Sequence, residues 1–349
     1  MFDVNRLVRE NIKKLKPYSS ARHEFKGEAS VFLDANENSY GSPLEQQFNR
    51  YPDPLQWQLK EALSHIKNVD AEKIFVGNGS DEVIDLAYRI FCEPAIDNVI
   101  VCPPTYGMYE VSAGINNVQT KKVRLKNNFQ LDVDGIIKAV DVNTKLLFIC
   151  SPNNPTGNNM LRSDVEKVLK NFSGIVIIDE AYIDFSGEES VSAKLEKYRN
   201  IIVMQTLSKA WGLASLRLGL AFASKEIIDL FNKVKPPYNI NKASQQLSLS
   251  ALQNKQQVNN WINIIIKQRE FLAKELQHFS FVEKVYNSDA NFLLIKVTDA
   301  GALYNYLAQN KIVVRNRSTE VMCDNCLRIT IGTDEENILL LDILKKYKA

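Results

Sequence analysis

The chain has 349 residues, of which 45% are hydrophobic and 24% are charged, and its formal net charge at pH 7 is +2. This length and composition suffice for one large and one smaller domain and exclude a disordered chain. The dispersed basic residues argue against binding to nucleic acid or to an anionic membrane surface. No apolar run approaches a membrane span, and residues 1–18 carry frequent charges, unlike a secretion signal, so we expect a cytoplasmic protein.

The five cysteines also fit a reducing compartment. Cys92, Cys102 and Cys150 lie in apolar contexts and are predicted to be small core residues. Cys323 and Cys326 have the spacing of half a zinc site or of a redox pair. A second cysteine pair is missing and no histidine lies near them in the sequence, so we expect neither a metal nor a redox role there.

Along the chain, the first clear feature is a change in periodicity near residue 70. Residues 1–50 show little periodicity and many turn-forming residues, which predicts an arm that joins part of a small domain. Strand and helix patterns alternate from about residue 70 to residue 223, which predicts an α/β fold with a mostly parallel sheet between helices. The helices predicted at 80–91 and 162–171 each begin with a polar residue able to cap free amides. The predicted strands are 73–76, 98–102, 145–150, 174–179, 201–206 and 217–223, and the basic residues at 121–126 are typical of a solvated strand edge.

The C-terminal part begins with residues 241–279, which contain no proline or glycine and predict one or two long linking helices. We therefore expect an N-terminal arm at 1–50, a large α/β domain at 51–240 and a small α+β domain at 241–349. In the last of these, the predicted strands are 281–286, 291–297, 312–315 and 326–331, and the predicted helices are 299–310 and 334–347.

Three of the predicted buried strands end in polar groups that are candidates for a catalytic or ligand-binding site. Lys209 follows the strand at 201–206, and an ammonium there is costly to desolvate, which favours a neutral amine held for imine formation. Asp179 ends the strand at 174–179, where a carboxylate needs a cationic partner. The third strand runs into an Asn-, Pro- and Gly-rich turn at 151–157. Open α/β sheets bind ligands at the carboxyl ends of their strands, so these groups predict one site.

Pyridoxal 5'-phosphate, an aromatic cofactor with an aldehyde, a pyridine nitrogen and a phosphate, would give each of these groups a partner. Asp179 would keep the ring nitrogen protonated, and Asn154 and Tyr182 could bond to the phenolic oxygen. Lys209 would form the imine and then carry a proton as general base and acid. Tyr106 follows another strand end and could stack on the ring.

The cofactor phosphate needs amide donors and a cation. Gly77 and Gly79 lie between a predicted strand and a predicted helix, where glycine lets the backbone approach an anion. A guanidinium binds phosphate in fork geometry. The predicted phosphate ligands are the amides of Ser80 and Asp81, the hydroxyls of Thr206 and Ser208, and the guanidinium of Arg217.

Taken together, these motifs resemble those of the fold-type I aminotransferases and, within that group, the histidinol-phosphate aminotransferase family. The resemblance covers essentially the whole chain. It implies a seven-stranded, mostly parallel large sheet, a smaller α+β domain and pyridoxal 5'-phosphate as cofactor. The matching segments are 17–18, 33–38, 50–54, 102–109, 151–157, 179–182, 208–219 and 327–333.

The resemblance also implies a homodimer with composite sites, in which Tyr51 reaches the cofactor phosphate of the neighbouring subunit. Arg328 would bind the carboxylate of glutamate. Arg317 is an alternative to Arg315, which is preferred because its spacing to Arg328 resembles the family. Ser39 and Ser215 replace a proline and a glycine that are common in relatives. The implied substrate-binding residues are Arg328, Arg315, Tyr18 and Asn36.

The reaction that the resemblance implies is a ping-pong amino transfer between L-histidinol phosphate and 2-oxoglutarate, giving imidazole-acetol phosphate and L-glutamate in histidine biosynthesis. An aromatic or broad-specificity aminotransferase and a phosphothreonine decarboxylase share the cofactor residues and stay as alternatives. A non-catalytic ligand sensor fused to a DNA-binding module is disfavoured, because the first residues lack a basic, helix-dense character.

Overall fold

The computed structural model describes residues 2–18 and 30–348. The elements up to residue 240 form a large sheet and its helices. In chain order they are α1 (Glu10–Lys14), α2 (Trp57–Lys67), β1 (Ile74–Asn78), α3 (Ser80–Phe91), β2 (Asn98–Val101), α4 (Met108–Ile115), β3 (Gln119–Lys122), α5 (Val133–Ala139), β4 (Thr144–Cys150), α6 (Arg162–Asn171), β5 (Ile175–Asp179), β6 (Ile201–Thr206), β7 (Leu218–Ala223) and α7 (Lys225–Val234).

The remaining elements form a second, smaller layer. They are α8 (Lys242–Leu252), α9 (Lys255–Leu276), β8 (Val282–Val285), β9 (Phe292–Val297), α10 (Ala300–Gln309), β10 (Arg315–Asn316), β11 (Cys326–Thr330) and α11 (Asp334–Leu344). The one or two long helices expected at 241–279 are two helices, α8 and α9. The strand expected at 312–315 is shorter and begins later, as β10.

The large sheet has seven strands in the order β1-β7-β6-β5-β4-β2-β3. Neighbours from β3 to β6 are parallel, and β7 runs antiparallel to both β6 and β1. The predicted mostly parallel seven-stranded α/β fold is therefore confirmed. The basic segment 121–126, expected at a strand edge, begins within β3, the last strand in this order, and continues beyond its end.

The apolar runs of the central strands reflect burial on both faces of the sheet. In β5, Ile175 and Ile177 pack into one hydrophobic cluster, whereas Val176 and Ile178 pack into the cluster on the opposite face. Successive side chains of a strand point to opposite faces, so a strand covered on both sides is apolar at nearly every position. This pattern is what made the strands readable from the sequence.

The small sheet is antiparallel, in the order β10-β11-β9-β8. Its strand β9 divides its side chains in the same way. Phe292 and Leu294 join the core of the large sheet, and Leu293 and Ile295 pack with the helices of the small layer. The two sheets therefore share a continuous hydrophobic core. The domain boundaries expected at residues 50 and 240 stay a prediction.

The helix caps differ from expectation. The residues before α3 and α6 are Gly79 and Leu161, and neither helix has a side-chain hydrogen bond at its N-terminus. Ser80 and Arg162, the polar residues expected to act as caps, are instead the first residues of the helices. In α3 this leaves the first amides without a side-chain acceptor, at a place where an anion can approach.

The cysteines expected in the core, Cys92, Cys102 and Cys150, are buried, and so are Cys323 and Cys326. All five are free thiols. Residues 2–18 and 30–348 contain no cluster of three or more side chains suited to a metal ion. Over the same ranges, no helix has the length and apolarity needed to cross a bilayer.

A buried lysine in α2 gives a stability prediction. Lys60 is 2% exposed, and burial, followed by the charge of Lys235, lowers its pKa to about 8. The native state therefore binds fewer protons than the unfolded state between pH 8 and the ordinary lysine pKa, so this group makes stability rise with pH over that window. Lys60→Met should raise the free energy of unfolding at pH 7 by ~2 kcal/mol, with a gain that shrinks towards pH 10.

Urea denaturation at pH 7, 8, 9 and 10 measures this difference. Lys138→Met, which replaces an exposed lysine of α5, is the matched control and should show no such pH trend. A gain for Lys60→Met that is constant over pH would contradict the assigned cause.

Candidate active site

A cavity of about 360 Å³ lies where the carboxyl ends of β4, β5 and β6 face the small sheet. Both sheets contribute to its wall, because β11 and the segment beside it supply arginines opposite the strand ends. The lining residues are Ser80, Asp81, Tyr106, Cys150, Asn154, Asp179, Ala181, Tyr182, Thr206, Ser208, Lys209, Arg217, Arg315, Arg317 and Arg328.

Most of the residues predicted from the sequence are in this cavity, and three are not. Asn36 and Tyr51 line a separate groove with Tyr238, and the rings of Tyr51 and Tyr238 stack with centroids 4.4 Å apart. Tyr18 is exposed and borders a third groove beside Trp57. The substrate and cofactor roles of these three residues stay predictions.

Asp179 is the buried acid of the cavity. Ala181 N–H donates to its Oδ1 at 3.0 Å and the Tyr109 hydroxyl donates to its Oδ2 at 2.7 Å. Burial raises the pKa of Asp179, and these two hydrogen bonds act in the opposite direction. Asp179 makes no ion pair with any residue that the structure describes. A protonated ring nitrogen would supply the missing cation.

Lys209 extends into the cavity from the turn after β6. Its Nζ lies 5.7 Å from the centre of the Tyr182 ring. The side chain is open to the solvent of the cavity, yet the protein around it still removes enough water to lower the pKa of its amine. The charge of Arg328 lowers this pKa further, while Asp179 raises it. The direction agrees with the neutral amine expected from the sequence.

One end of the cavity combines a helix N-terminus, two hydroxyls and a guanidinium. Gly79 has a φ of +76°, and a Cβ there would lie 2.5 Å from Nη2 of Arg217. A side chain on Gly219 would collide with the backbone of Gly79 and Ser80, so β7 approaches α3 closely only because this residue is glycine. The uncapped amides of α3, the Arg217 guanidinium and the hydroxyls of Thr206 and Ser208 form a cradle that fits a phosphate group.

The remaining predicted cofactor residues lie between this phosphate cradle and the side chains of Asp179 and Lys209. Tyr106 donates to Oδ1 of Asp81 at 3.1 Å, which holds its ring on one side of the cavity. Asn154 connects the two sheets. Arg328 donates to Oδ1 of Asn154 at 2.5 Å, and Nδ2 of Asn154 lies 3.5 Å from the Tyr182 hydroxyl. The groups needed for the ring nitrogen, phenolic oxygen, aldehyde and phosphate of pyridoxal 5'-phosphate thus border one space.

Tyr109 is the residue that sequence reasoning missed. It is fully buried, it stacks on Phe148 at 4.7 Å and its hydroxyl bonds to Asp179. It lies within the segment 102–109, in which the sequence pattern points to Tyr106 alone. A buried tyrosine hydroxyl needs a partner, which was the available signal, although the sequence does not identify that partner.

The comparisons with known proteins place the chain in a family. Residues 30–344 match the family described as "Aminotransferase class I and II", so the chain belongs to that family. Its relatives include the histidinol-phosphate aminotransferase of Cytophaga hutchinsonii, 53% identical over 346 residues that make up 99% of each chain. The cofactor is pyridoxal 5'-phosphate, which the cavity residues fit.

Solved structures agree on the fold. The histidinol-phosphate aminotransferase from Clostridium acetobutylicum has a TM-score of 0.79 and 25% identity, covering 85% of this chain and 90% of that one. The histidinol-phosphate aminotransferase from Sinorhizobium meliloti, solved in complex with pyridoxal-5'-phosphate, has a TM-score of 0.78 and 20% identity, covering 89% and 90%. At that identity the second likeness shows the fold alone.

The contact between Tyr109 and Asp179 is testable with Tyr109→Phe, which keeps the ring and removes the hydroxyl. Because the lost hydrogen bond lowers the pKa of Asp179, its removal should raise that pKa further and move the acid-side midpoint of cofactor binding to higher pH. The dissociation constant of pyridoxal 5'-phosphate should rise about tenfold. Titration of the apoprotein with cofactor, followed by absorbance across pH, measures both quantities.

Tyr88→Phe is the matched control, since the Tyr88 hydroxyl is buried and donates to the backbone oxygen of Tyr109. It should affect stability and leave the midpoint in place. Identical titrations for both variants would show that the hydrogen bond to Asp179 is without consequence for the cofactor.

Proposed function

We propose that this enzyme transfers an amino group between L-histidinol phosphate and 2-oxoglutarate, giving imidazole-acetol phosphate and L-glutamate, a step of histidine biosynthesis. The observation that carries the proposal is the 53% identity to a histidinol-phosphate aminotransferase over 99% of both chains. The cavity supports it independently, because it combines a desolvated amine, a buried acid and several arginines.

When bound, pyridoxal 5'-phosphate supplies an aldehyde that condenses with an amine and a ring that accepts the electron pair of a broken bond at the substrate's α-carbon. Asp179 would hold the ring nitrogen, and the cradle at α3 and Arg217 would hold the phosphate. Tyr106 would lie against the ring, and Asn154 and Tyr182 would bond to its phenolic oxygen.

Lys209 would act as the base that removes and returns the proton of the substrate's α-carbon. Only an uncharged amine can accept that proton. The lowered pKa of Lys209 increases the uncharged fraction near neutral pH, and the cause is its partial burial together with the charge of Arg328. Lys209 also stands beside the ring of Tyr182, within the same cavity as Asp179.

The arginines on the opposite wall fit the two substrates. One is a phosphate ester and the other a dicarboxylate, and in a ping-pong reaction each occupies the same space in turn. Guanidinium groups bind both kinds of anion in fork geometry. Arg328 is held by Asn154 and lies 5.2 Å from the centre of the Phe292 ring, so its position is fixed before a substrate arrives.

The proposed activity is tested by incubating the purified holoenzyme with L-histidinol phosphate and 2-oxoglutarate and measuring glutamate. Lys209→Ala should lose transamination, because it lacks both the imine-forming amine and the α-carbon base, with a loss of at least about a thousandfold. Lys170→Ala, at an exposed position of α6, is the matched control and should keep full activity.

Two outcomes would contradict the proposal. Faster turnover of aromatic amino acids than of histidinol phosphate would indicate a broad-specificity aminotransferase. Release of carbon dioxide from a phosphorylated amino acid without glutamate formation would indicate a decarboxylase. A Lys209→Ala variant with normal turnover would contradict the role given to that lysine.

We also propose that the enzyme is a homodimer in which Tyr51 completes the site of the other subunit. Within its own chain Tyr51 lies outside the active-site cavity and is 51% exposed. The segment 31–51 presents further exposed apolar residues, which a solitary chain would leave in water. They are Val31, Leu33, Tyr40 and Leu44. The ion pair between Arg50 and Glu37, at 2.7 Å, fixes the segment next to Tyr51.

Hybrid dimers test this arrangement. A dimer of one Lys209→Ala subunit and one Tyr51→Phe subunit has one intact site if Tyr51 acts across the interface, since both changes then fall in the other site. At limiting cofactor such hybrids, isolated through two different tags, should recover about half of the native activity. Activity no higher than that expected from Tyr51→Phe sites alone would place Tyr51 in its own subunit's site or in neither.

The cytoplasm is the proposed location. The five cysteines are free thiols and are all buried, which fits a reducing compartment.

A further inference from the structure

The small sheet carries three arginines on the face that borders the active site. Arg315 on β10 lies opposite Arg328 on β11 in the antiparallel register. Arg317 follows two positions later, and its backbone N–H donates to the Cys326 oxygen at 2.8 Å, which continues the pairing of the two strands. Positions two apart on a strand share a face, and all three side chains line the same cavity.

Among these arginines, Arg317 is the one with a buried guanidinium N–H that meets no acceptor in the described part of the chain. Its closest carboxylate is that of Glu320, with Nη1 and Oε1 3.5 Å apart, at the outer limit of a hydrogen bond. Its Nε is buried and meets no hydrogen-bond acceptor among residues 2–18 and 30–348. A buried N–H without an acceptor costs free energy, so these residues leave the hydrogen-bonding capacity of the guanidinium incompletely used.

The charge balance of the wall supports this conclusion. Arg315 and Arg328 make no ion pair with any carboxylate in the described part of the chain, and Glu320 is paired with Arg317 alone. Burial lowers the pKa of Arg328 most, and the charges of Arg317 and Arg315 lower it further, so both of these guanidinium groups repel that of Arg328. A bound anion would remove that repulsion.

We propose that Arg317 is a substrate-binding residue that selects the phosphate group, acting with Arg315 and Arg328 as a three-arginine anion site. The inference rests on the proposed function and deepens it. A phosphate monoester carries nearly two negative charges near pH 7, whereas the side-chain carboxylate of the second substrate carries one. The third guanidinium therefore stabilises the phosphorylated substrate more than the dicarboxylate.

Burial makes Arg317 suited to this discrimination. Its side chain is 19% exposed, whereas Arg315 is exposed to solvent. Solvent screens a charge on an exposed side chain, so the less exposed guanidinium distinguishes more strongly between one and two negative charges. The sequence favours Arg315 over Arg317, but the structure brings both residues to the cavity, so both belong to the proposed anion site.

The experiment uses the holoenzyme and compares Arg317→Gln, Arg317→Lys and Glu320→Gln with the native chain. Steady-state kinetics give kcat and KM for L-histidinol phosphate and for 2-oxoglutarate. For Arg317→Gln, KM for histidinol phosphate should rise about tenfold or more, while KM for 2-oxoglutarate should change less than about threefold. Arg317→Lys should recover part of the loss, because it restores the charge but not the fork.

Glu320→Gln separates substrate binding from a structural role of Arg317. It removes the carboxylate that pairs with Arg317 in the described part of the chain and leaves the guanidinium in place, so KM for histidinol phosphate should stay unchanged or fall. Equal increases of both KM values in Arg317→Gln, or a Glu320→Gln variant that reproduces its defect, would overturn the proposal.

Inorganic phosphate provides a readout that does not depend on turnover. Its dissociation constant from the holoenzyme, measured by calorimetry, should rise about tenfold in Arg317→Gln. If the native chain did not turn over histidinol phosphate, the proposed function would fail, and this titration would decide on Arg317 separately. Weaker phosphate binding in the variant would support the anion site, and equal binding in both proteins would overturn it.

Discussion

A carboxylate buried at the end of a central strand is the constraint on which the active site depends. Asp179 lies among apolar residues of the large sheet, where an unpaired negative charge is costly. It accepts two hydrogen bonds, from Tyr109 and from the backbone of Ala181, and it makes no ion pair within residues 2–18 and 30–348. The strand, the tyrosine behind it and the amine of Lys209 in front of it are therefore arranged around a place for a cationic ring.

The two ends of the cavity handle negative charge by different means. At the cofactor end, backbone amides of α3 and a single guanidinium act together, and two glycines permit the close approach of α3 and β7. At the wall that we propose to bind the substrates, the positive charge comes from the side chains of Arg315, Arg317 and Arg328. Backbone donors are rigid and suit a group that stays bound, whereas an exposed side chain such as that of Arg315 can adapt to ligands of different shape.

Sequence reasoning succeeded where a local pattern determines the structure. Apolar runs identified the buried strands, and the polar residues after them identified the site, because carboxyl ends of parallel strands meet at one edge. It failed where the outcome depends on distant parts of the chain. The cap of α3 is Gly79 and not Ser80, the hydroxyl of Tyr109 finds Asp179 seventy positions away, and the position of Arg317 follows from the register of β10 with β11.

The hydrogen bond between Arg328 and Asn154 joins the small sheet to the turn after β4, and the two sheets share one hydrophobic core. The arginines of the small sheet and the amine of Lys209 therefore stand at a separation set by the packing of Phe292 and Leu294 beneath β9. This separation determines the length of the molecule that fits between them. Substrate choice in this enzyme therefore also depends on its hydrophobic core. Apolar substitutions far from any ligand can change this separation by a fraction of an ångström.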